Sequence, residues 1–197
     1  QTVVVKLRSH DFKDSQRIRE WEQLIKAAEK DQAKMVIFDL NVNGEIPWES
    51  QERILDSLSK ITVPTLAFVN SGATGAGALI AVGSDTNYMS PNGIIGGAGI
   101  SIPDIDNEEA QKRKLAQQLS LLKARARNLA KTKGHRVEIV EAFIDSENEV
   151  KYGEEVVSKK GEILTLTASE AVKEIDGKPL LAKGLAVSLE ALLNIVS

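Results

Sequence analysis

One glycine-rich stretch, residues 70–81 (NSGATGAGALIA), combines the residue types best suited to chemistry by backbone groups. It follows an apolar run typical of a buried strand and leads into a pattern typical of a helix. Small residues let a backbone approach a ligand closely, and N–H groups at a helix start attract negative charge. The pattern predicts an oxyanion or anion site at the carboxyl end of a sheet, although tight helix–sheet packing without a ligand accounts for it equally well. No Gly-Lys-Ser/Thr follows, which excludes a phosphate-binding P-loop.

A second candidate for backbone chemistry is the pair Asn43-Gly44, which ends the preceding predicted strand. Turns at the ends of two neighbouring parallel strands could supply two converging N–H donors, the minimum for an oxyanion hole. An ordinary Asn-Gly turn is the alternative interpretation.

No side-chain nucleophile stands beside an evident base in the sequence. His10 and His135 lie in polar contexts typical of solvated histidines. The basic residues within 112–133 indicate a solvated helix face, and the acidic residues within 104–109 lack the spacing and the glycine of an EF-hand. The hydroxyl groups near the glycine-rich segments belong to Ser71, Thr74, Ser84, Ser90 and Ser101.

Composition excludes several classes of function. The chain of 197 residues has no cysteine and two histidines, so thiolate nucleophiles and zinc-thiolate sites are excluded, and we expect no metal and no cofactor. A net charge of −3 argues against a nucleic-acid partner. No apolar run approaches the roughly 20 residues that span a bilayer. The length predicts a single domain over residues 1–197, and the start at Gln1 is consistent with leader removal or with excision from a larger protein.

Strands alternate with helices along the chain, which predicts βαβ units and a mostly parallel sheet. The polar segment 144–160 is expected to be irregular, and Ser15 is the expected N-cap of the first helix. Predicted strands cover 2–7, 35–40, 63–69, 88–89, a short piece within 93–97, and 163–167. Predicted helices follow Ser15, cover 48–60, open in the glycine-rich stretch, cover 108–133 and 137–143, begin at a capping box before Ala171, and cover 189–195.

Five segments together resemble the NfeD-type membrane-bound proteases of the ClpP class. These segments are 63–70 (VPTLAFVN), 73–81 (ATGAGALIA), 88–91 (YMSP), 95–98 (IGGA) and 160–171 (KGEILTLTASEA). The resemblance runs from the first strand to the last helix. It implies an α/β fold, a ClpP/crotonase-like spiral of βαβ units with a mostly parallel sheet. It further implies the extracytoplasmic domain of a larger bacterial membrane protein, anchored by segments outside this chain, and a homo-oligomer.

The same resemblance implies a serine endopeptidase with a Ser–Lys dyad, and here both dyad positions are substituted. The family's serine stands between small residues in an Ala-Leu-Ser-Ala-Gly type of motif, whereas residues 73–77 read ATGAG and place Gly75 at the nucleophile position. Counting back about three turns from Leu129-Ala130 places Gln117 at the base position. Glycine has no nucleophilic atom, and glutamine is no base near neutral pH.

A degenerate protease domain follows from these substitutions. The N–H groups of Gly44 and Ala76 remain as oxyanion donors. We expect a hydrophobic peptide or a membrane-protein segment to add as a strand beside Gly96-Gly97 and the Asn43-Gly44 turn, without being cleaved. Whether the domain is an enzyme stays open at this point.

The sequence is also consistent with two other functions, an active peptidase with displaced catalytic residues and an acyl-CoA enzyme. A shift of the long helix by one turn would bring Lys114 into the cleft, where Ser71 or Thr74 could serve as a displaced nucleophile. The run 74–77 (TGAG), followed by Ser84-Asp85, also resembles the oxyanion helix of crotonase-type acyl-CoA enzymes, in which a glycine N–H acts.

Overall fold

The computed structural model describes residues 1–45, 47–100 and 102–197. The strands are β1 (Thr2–Arg8), β2 (Met35–Val42), β3 (Thr65–Thr74), β4 (Thr86–Met89), β5 (Ile94–Gly96), β6 (Val150–Tyr152), β7 (Glu155–Ser158), β8 (Thr165–Thr167), β9 (Glu174–Ile175), β10 (Lys178–Pro179) and β11 (Gly184–Leu185). The helices are α1 (Ser15–Lys30), α2 (Trp48–Ser59), α3 (Ala76–Val82), α4 (Glu108–Lys133), α5 (Val137–Ile144), α6 (Ala168–Ala171) and α7 (Leu189–Val196), with a 3-10 turn at Ser9–Phe12.

A parallel sheet in the order β1-β2-β3-β4-β11 forms the centre of the fold. Helices connect its first four strands, as the alternating pattern predicts. The far end of β3 pairs in parallel with β5, and β5 pairs on its other side with β8 in the antiparallel sense. The predicted mixed α/β architecture with a mostly parallel sheet is therefore confirmed.

Both faces of the sheet are covered along β2 and the first half of β3, which explains why these strands are continuous apolar runs. The edge strand β1 alternates instead, with Val5 and Leu7 buried and Val4 exposed. On one face the main core includes Trp21, whose ring contacts Phe12 and Phe38 at centroid distances of 5.9 and 6.1 Å. On the other face a smaller cluster forms around Phe68 and Leu192 of α7, both fully buried.

The glycine-rich stretch is divided differently from the prediction. The expected strand end at Val69 is wrong, because β3 continues to Thr74. Pairing of its last residues with β5 supplies the additional ladder bonds, with Thr74 opposite Gly96. The helix begins only at Ala76, so Gly75 alone forms the junction between strand and helix.

Three local expectations need correction. The N-cap of α1 is Asp14, whose Oδ1 accepts a hydrogen bond from the Arg17 N–H at 2.9 Å, rather than Ser15. The capping box Thr167–Glu170 forms, but its helix is a single turn that ends at Ala171. The segment 144–160 is not irregular throughout, since β6 and β7 form a hairpin whose short strands give little periodic signal.

The helix α4 has the predicted bounds, Glu108 to Lys133. Asn107 caps its start, and Gly134 ends it in the left-handed conformation with φ +78°. Of its apolar stripe, Leu122 is fully buried, whereas Leu115 is only partly buried, so the first half of α4 extends past the core. Within the described ranges, no helix has both the length and the apolarity needed to cross a membrane.

Candidate functional site

Gly75 forms the sharp turn from β3 into α3, the kind of strand-to-helix turn that carries the nucleophile in many hydrolases. Its φ of +57° and ψ of −122° are unfavourable for a residue with a side chain. Its N–H donates to the carbonyl of Gly97 at 3.1 Å. A Cβ atom at this position would lie 2.0 Å from the carbonyl oxygen of Gly44. The backbone therefore occupies the space that any side chain at Gly75 would need.

The Asn43-Gly44 turn packs directly against the end of β3. The Gly44 N–H donates to Thr74 Oγ1 at 3.2 Å, and Thr74 Oγ1 lies 3.3 Å from Asn43 Oδ1. Asn43 Oδ1 also covers Gly72, where an added Cβ would meet it at 2.2 Å. The structure thus brings together the glycine-rich stretch and the Asn43-Gly44 turn. The two segments pack in direct contact, with no space between them.

The two expected oxyanion donors are not both available in this arrangement. The Gly44 N–H already binds Thr74 Oγ1, so an incoming oxyanion has to displace that hydroxyl. Ala76 is fully buried at the first position of α3. Stabilising a developing charge requires donors that are free and aimed beforehand, and the closed turn does not present the Gly44 N–H in that way.

The expected peptide edge at Gly96-Gly97 is occupied by the chain itself. β5 lies between β3 and β8, with Gly96 opposite both Thr74 and Thr165. The Gly97 N–H donates to the carbonyl of Leu164 at 2.9 Å, and the Gly97 carbonyl accepts from Gly75. A peptide cannot add as a strand here without displacing β8, so the structure contradicts this part of the prediction.

The candidate hydroxyls have separate surroundings. Ser71 is exposed and Thr74 is partly buried. Ser84 Oγ donates to the carbonyl of Ile80 at 2.8 Å, and Ser90 Oγ donates to the carbonyl of Asn70, so these two have structural partners. Ser101 lies outside the described residues. No hydrogen bond in the described part of the chain joins any of these hydroxyls to a lysine, so no nucleophile–base pair is assembled.

A groove of about 510 Å³ lies between the start of α2 and the exposed half of α4. Lys114 and Gln118, one turn apart on α4, form one side of it. Gln117 is exposed and is not among the lining residues, since one residue rotates a helix by about 100°. The residue beside Lys114 in the groove is therefore Gln118. The remaining lining residues are Glu45, Pro47, Trp48, Glu49, Ile102 and Pro103.

Two polar groups on α4 are unengaged within the described residues. Gln118 Oε1 is buried without a hydrogen-bond partner there, and Lys114 makes no ion pair there. The opposite side of the groove combines the ring of Trp48 with Pro47 and Pro103. Sequence reasoning missed this apolar wall. The sequence predicts Trp48 only as the start of a helix, because no local pattern brings 47–48 and 102–103 together.

The groups proposed for acyl-CoA chemistry serve structural roles. The Gly75 N–H binds Gly97, as described above. Asp85 accepts from the Thr65 N–H at 2.8 Å and pairs with Lys133 at 3.1 Å. Burial raises the pKa of Asp85, but these bonds to Thr65 and Lys133 outweigh it and leave the pKa below its usual range. The carboxylate therefore links β3, β4 and the end of α4.

Comparison with known families gives a match over most of the chain. The family model of the NfeD1b N-terminal domain matches residues 19–195. The membrane protein NfeD1b of Bacillus subtilis (strain 168) is 31% identical over 141 residues, which is 72% of this chain. The chain spans only 30% of the length of that relative.

Similar solved structures are proteases. A mutant of the 1510-N membrane-bound stomatin-specific protease, in complex with a substrate peptide, has a TM-score of 0.70 at 19% identity and covers 98% of this chain and 78% of that one. The 1510-N protease from Pyrococcus horikoshii has a TM-score of 0.67 at 20% identity, with 98% and 77% covered. A ClpP1 mutant from Listeria monocytogenes has a TM-score of 0.59 at 13% identity, with 97% and 94% covered. These similarities establish a ClpP-like fold.

Proposed function

Because the chain belongs to the NfeD1b N-terminal-domain family and has a ClpP-like fold, we propose that it is a degenerate protease domain that binds a peptide without cleaving it. Resemblance to the ClpP class puts Gly75 where the attacking serine belongs. A catalyst of this class needs a hydroxyl, a base and an oxyanion hole held together before the substrate arrives.

The contact between Gly75 and Gly44 is the observation that carries this proposal. Restoring a serine at Gly75 would place its Cβ 2.0 Å from the Gly44 carbonyl oxygen, inside the 3.0 Å that real Cβ atoms respect. Substitution of the nucleophile is therefore accompanied by closure of the backbone over its place. Gly75→Ser alone is expected to give no hydrolysis, because the turn first has to move away.

The groove beside α4 supports the binding half of the proposal. Trp48, Pro47 and Pro103 offer apolar area, and Lys114 offers a cation that is not paired within the described residues. We infer that the ligand is a hydrophobic peptide or a membrane-protein segment. Glu45 and Glu49 also line the groove, so an acidic group on the ligand would pair at Lys114, the one cation among the described lining residues. One structural neighbour has been solved with a substrate peptide, and the Bacillus subtilis relative is named a membrane protein.

Fluorescence titration with apolar peptides tests the proposal directly. Trp48 lies in the groove, whereas Trp21 is 2% exposed in the core and provides a constant background. We expect a saturable change in Trp48 emission, with the peptide recovered intact by mass spectrometry. Lys114→Gln should weaken binding of a peptide with an acidic residue by about tenfold. Lys112→Gln is the matched control, because Lys112 is exposed on the same helix and outside the groove. Turnover of the peptide that Lys114→Ala abolishes would overturn the proposal.

A second candidate is an active endopeptidase that uses Ser71 or Thr74 with Lys114. The position of Lys114 in the groove favours it. Such an enzyme should be labelled by a fluorophosphonate or β-lactone probe at one of the two hydroxyls, and Lys114→Ala should abolish the labelling. Absence of an adduct at high probe concentration supports the non-cleaving domain instead.

We further propose that residues 1–197 form one domain on the extracytoplasmic side of a larger bacterial membrane-associated protein, and that the domain self-associates. The relative named as a membrane protein is much longer than this chain, which supports the larger protein. Sedimentation of the isolated chain over a range of concentrations tests self-association, and a monomer throughout would contradict it.

A further inference from the structure

The hydroxyl of Thr74 lies between two groups of the Asn43-Gly44 turn that can react with each other. Thr74 Oγ1 accepts the Gly44 N–H at 3.2 Å and donates to the side-chain carbonyl oxygen of Asn43, Oδ1, at 3.3 Å. In an Asn-Gly pair the glycine nitrogen can attack the asparagine side-chain amide carbon, because glycine has no Cβ to obstruct the closing ring. One hydroxyl therefore contacts both the attacking nitrogen and the oxygen of the carbonyl that is attacked.

Three further contacts hold Asn43 in one orientation. Its backbone N–H donates to Ser9 Oγ at 2.9 Å, and its Nδ2 donates to Asn41 Oδ1 at 3.1 Å. Its side chain lies over Gly72, where an added Cβ would be 2.9 Å from the amide carbon Cγ. The bond to Asn41 identifies the amide nitrogen, so the amide oxygen is the atom that faces Thr74. The turn is exposed, so water reaches it.

We propose that the Asn43-Gly44 turn is a site of self-modification, at which the Thr74 hydroxyl relays the proton for deamidation of Asn43. The Gly44 nitrogen forms a bond to Asn43 Cγ and passes its proton to Thr74 Oγ1, while the Thr74 proton moves to Asn43 Oδ1. Collapse of the tetrahedral intermediate returns that proton to the departing nitrogen, breaks the Cγ–Nδ2 bond and releases ammonia. Water then adds to either carbonyl of the resulting cyclic imide and opens it to aspartate or isoaspartate at position 43.

Isoaspartate changes the turn, because it adds one carbon to the backbone between the Cα of residue 43 and the Gly44 nitrogen. The Gly44 N–H, which binds Thr74, and the Gly44 carbonyl, which packs over Gly75, are then displaced. Deamidation is thus expected to open the turn that covers Gly75, with water as the only co-reactant. The proposal concerns the turn alone and does not depend on peptide binding in the groove, so the failure of either leaves the other standing.

A second Asn-Gly pair, Asn92-Gly93, provides an internal comparison. The Gly93 N–H donates to the backbone carbonyl of Ser90 at 2.9 Å, and Gly93 is buried. Within the described residues, no hydrogen bond joins a hydroxyl to the exposed side chain of Asn92. The two pairs therefore have the same covalent chemistry and differ in whether a hydroxyl bridges the reacting groups.

Incubation of the folded chain in mildly alkaline buffer, followed by peptide mass spectrometry, tests the proposal. Trypsin separates the two pairs into peptides 35–53 and 61–112, and isoaspartate methyltransferase labels the isoaspartate product. We expect Asn43 to react at least about tenfold faster than Asn92, because a positioned proton-transfer group accelerates a reaction by that much or more. In urea the two pairs should react at similar rates, since only the local sequence then acts.

Two variants at Thr74 distinguish a proton relay from a purely protective hydrogen bond. Thr74→Val should lower the rate at Asn43 by about tenfold if the hydroxyl relays the proton, and should raise the rate if the hydroxyl only shields the Gly44 nitrogen. Thr74→Ser keeps the hydroxyl and should react at nearly the parent rate. Thermal unfolding checks that both variants fold, and if Thr74→Val does not, the comparison of Asn43 with Asn92 in the parent chain still decides. Equal rates at the two pairs in the folded chain, or a folded Thr74→Val that reacts as fast as the parent or faster, would overturn the proposal.

Discussion

If glycine replaces the nucleophile, as the proposed function requires, Gly75 removes more than an oxygen. The Gly44 carbonyl also occupies the space that a side chain at this position would need. Thr74 reinforces the closure, since its hydroxyl accepts the Gly44 N–H. The absence of a side chain at Gly75 thus permits the close approach of the Gly44 turn, and the Thr74 hydroxyl stabilises that turn.

Comparison of two glycine substitutions measures this closure. Gly134→Ala should cost about 1–2 kcal/mol, because Gly134 has φ +78° but nothing within 4 Å of an added Cβ. Gly75→Ala should cost about 2–5 kcal/mol, because overpacking against Gly44 adds about 1–3 kcal/mol to the backbone penalty of about 1–2 kcal/mol. Urea unfolding of both variants gives the two free energies. Equal losses would show that the Gly44 turn yields freely and would remove the steric argument for inertness.

At the scale of elements, α7 has a disproportionate role. It covers the face of the sheet opposite the main core. There Leu192 packs in the smaller cluster with Ile37, Leu66 and Phe68. Its remaining face is largely exposed, with Ile195 at 52%. A helix of eight residues has little stability of its own, so tertiary packing must hold it.

Truncating the anchor of α7 should therefore destabilise the fold as a core substitution does. Leu192→Ala is expected to cost about 2–5 kcal/mol, because the side chain is fully buried and its removal leaves a cavity. Ile195→Ala on the same helix is the control and should change stability by less than about 1 kcal/mol. Chemical denaturation measures both. A small loss for Leu192→Ala would mean that α7 packs only loosely on the sheet.

At the scale of the whole molecule, partly buried titratable groups connect distant segments. His135 Nε2 lies 2.7 Å from the Ser84 carbonyl and links the end of α4 to the end of α3. Burial lowers the pKa of His135 because the charged imidazolium loses water. Asp145 joins α5 to Lys123 of α4 at 2.8 Å; burial raises its pKa, but the bonds from Lys123 and Glu147 outweigh burial and lower it.

Two acid transitions in stability follow from these shifts. Below about pH 6.5, His135 binds a proton more readily in the unfolded chain than in the folded one. The free energy of unfolding therefore decreases as the pH is lowered. Below about pH 4 the lowered pKa values of Asp85 and Asp145 produce a second fall. His135→Gln should remove the first step and keep the second, as measured by melting temperature against pH. His10→Gln at an exposed histidine is the control. A first step that survives His135→Gln would assign it to another group.

Local pattern by itself determined much of this protein: the alternation of strands and helices, the bounds of α4 at Glu108 and Lys133, and the membership in the NfeD family that segments such as 160–171 indicated. These depend on periodicity, caps and short motifs, which act over a few residues.

Only the tertiary structure decided the state of the site. Gly44 and Gly75 are 31 residues apart, and no local rule says that their backbones touch. The choice between Gln117 and Gln118 is a rotation of one residue, about 100°, which counting turns from a distant end does not resolve. The edge of β5 is taken by β8, which comes some 70 residues later in the chain. Long-range packing sets these contacts, because their energies belong to pairs of segments and leave no periodic signal in either one.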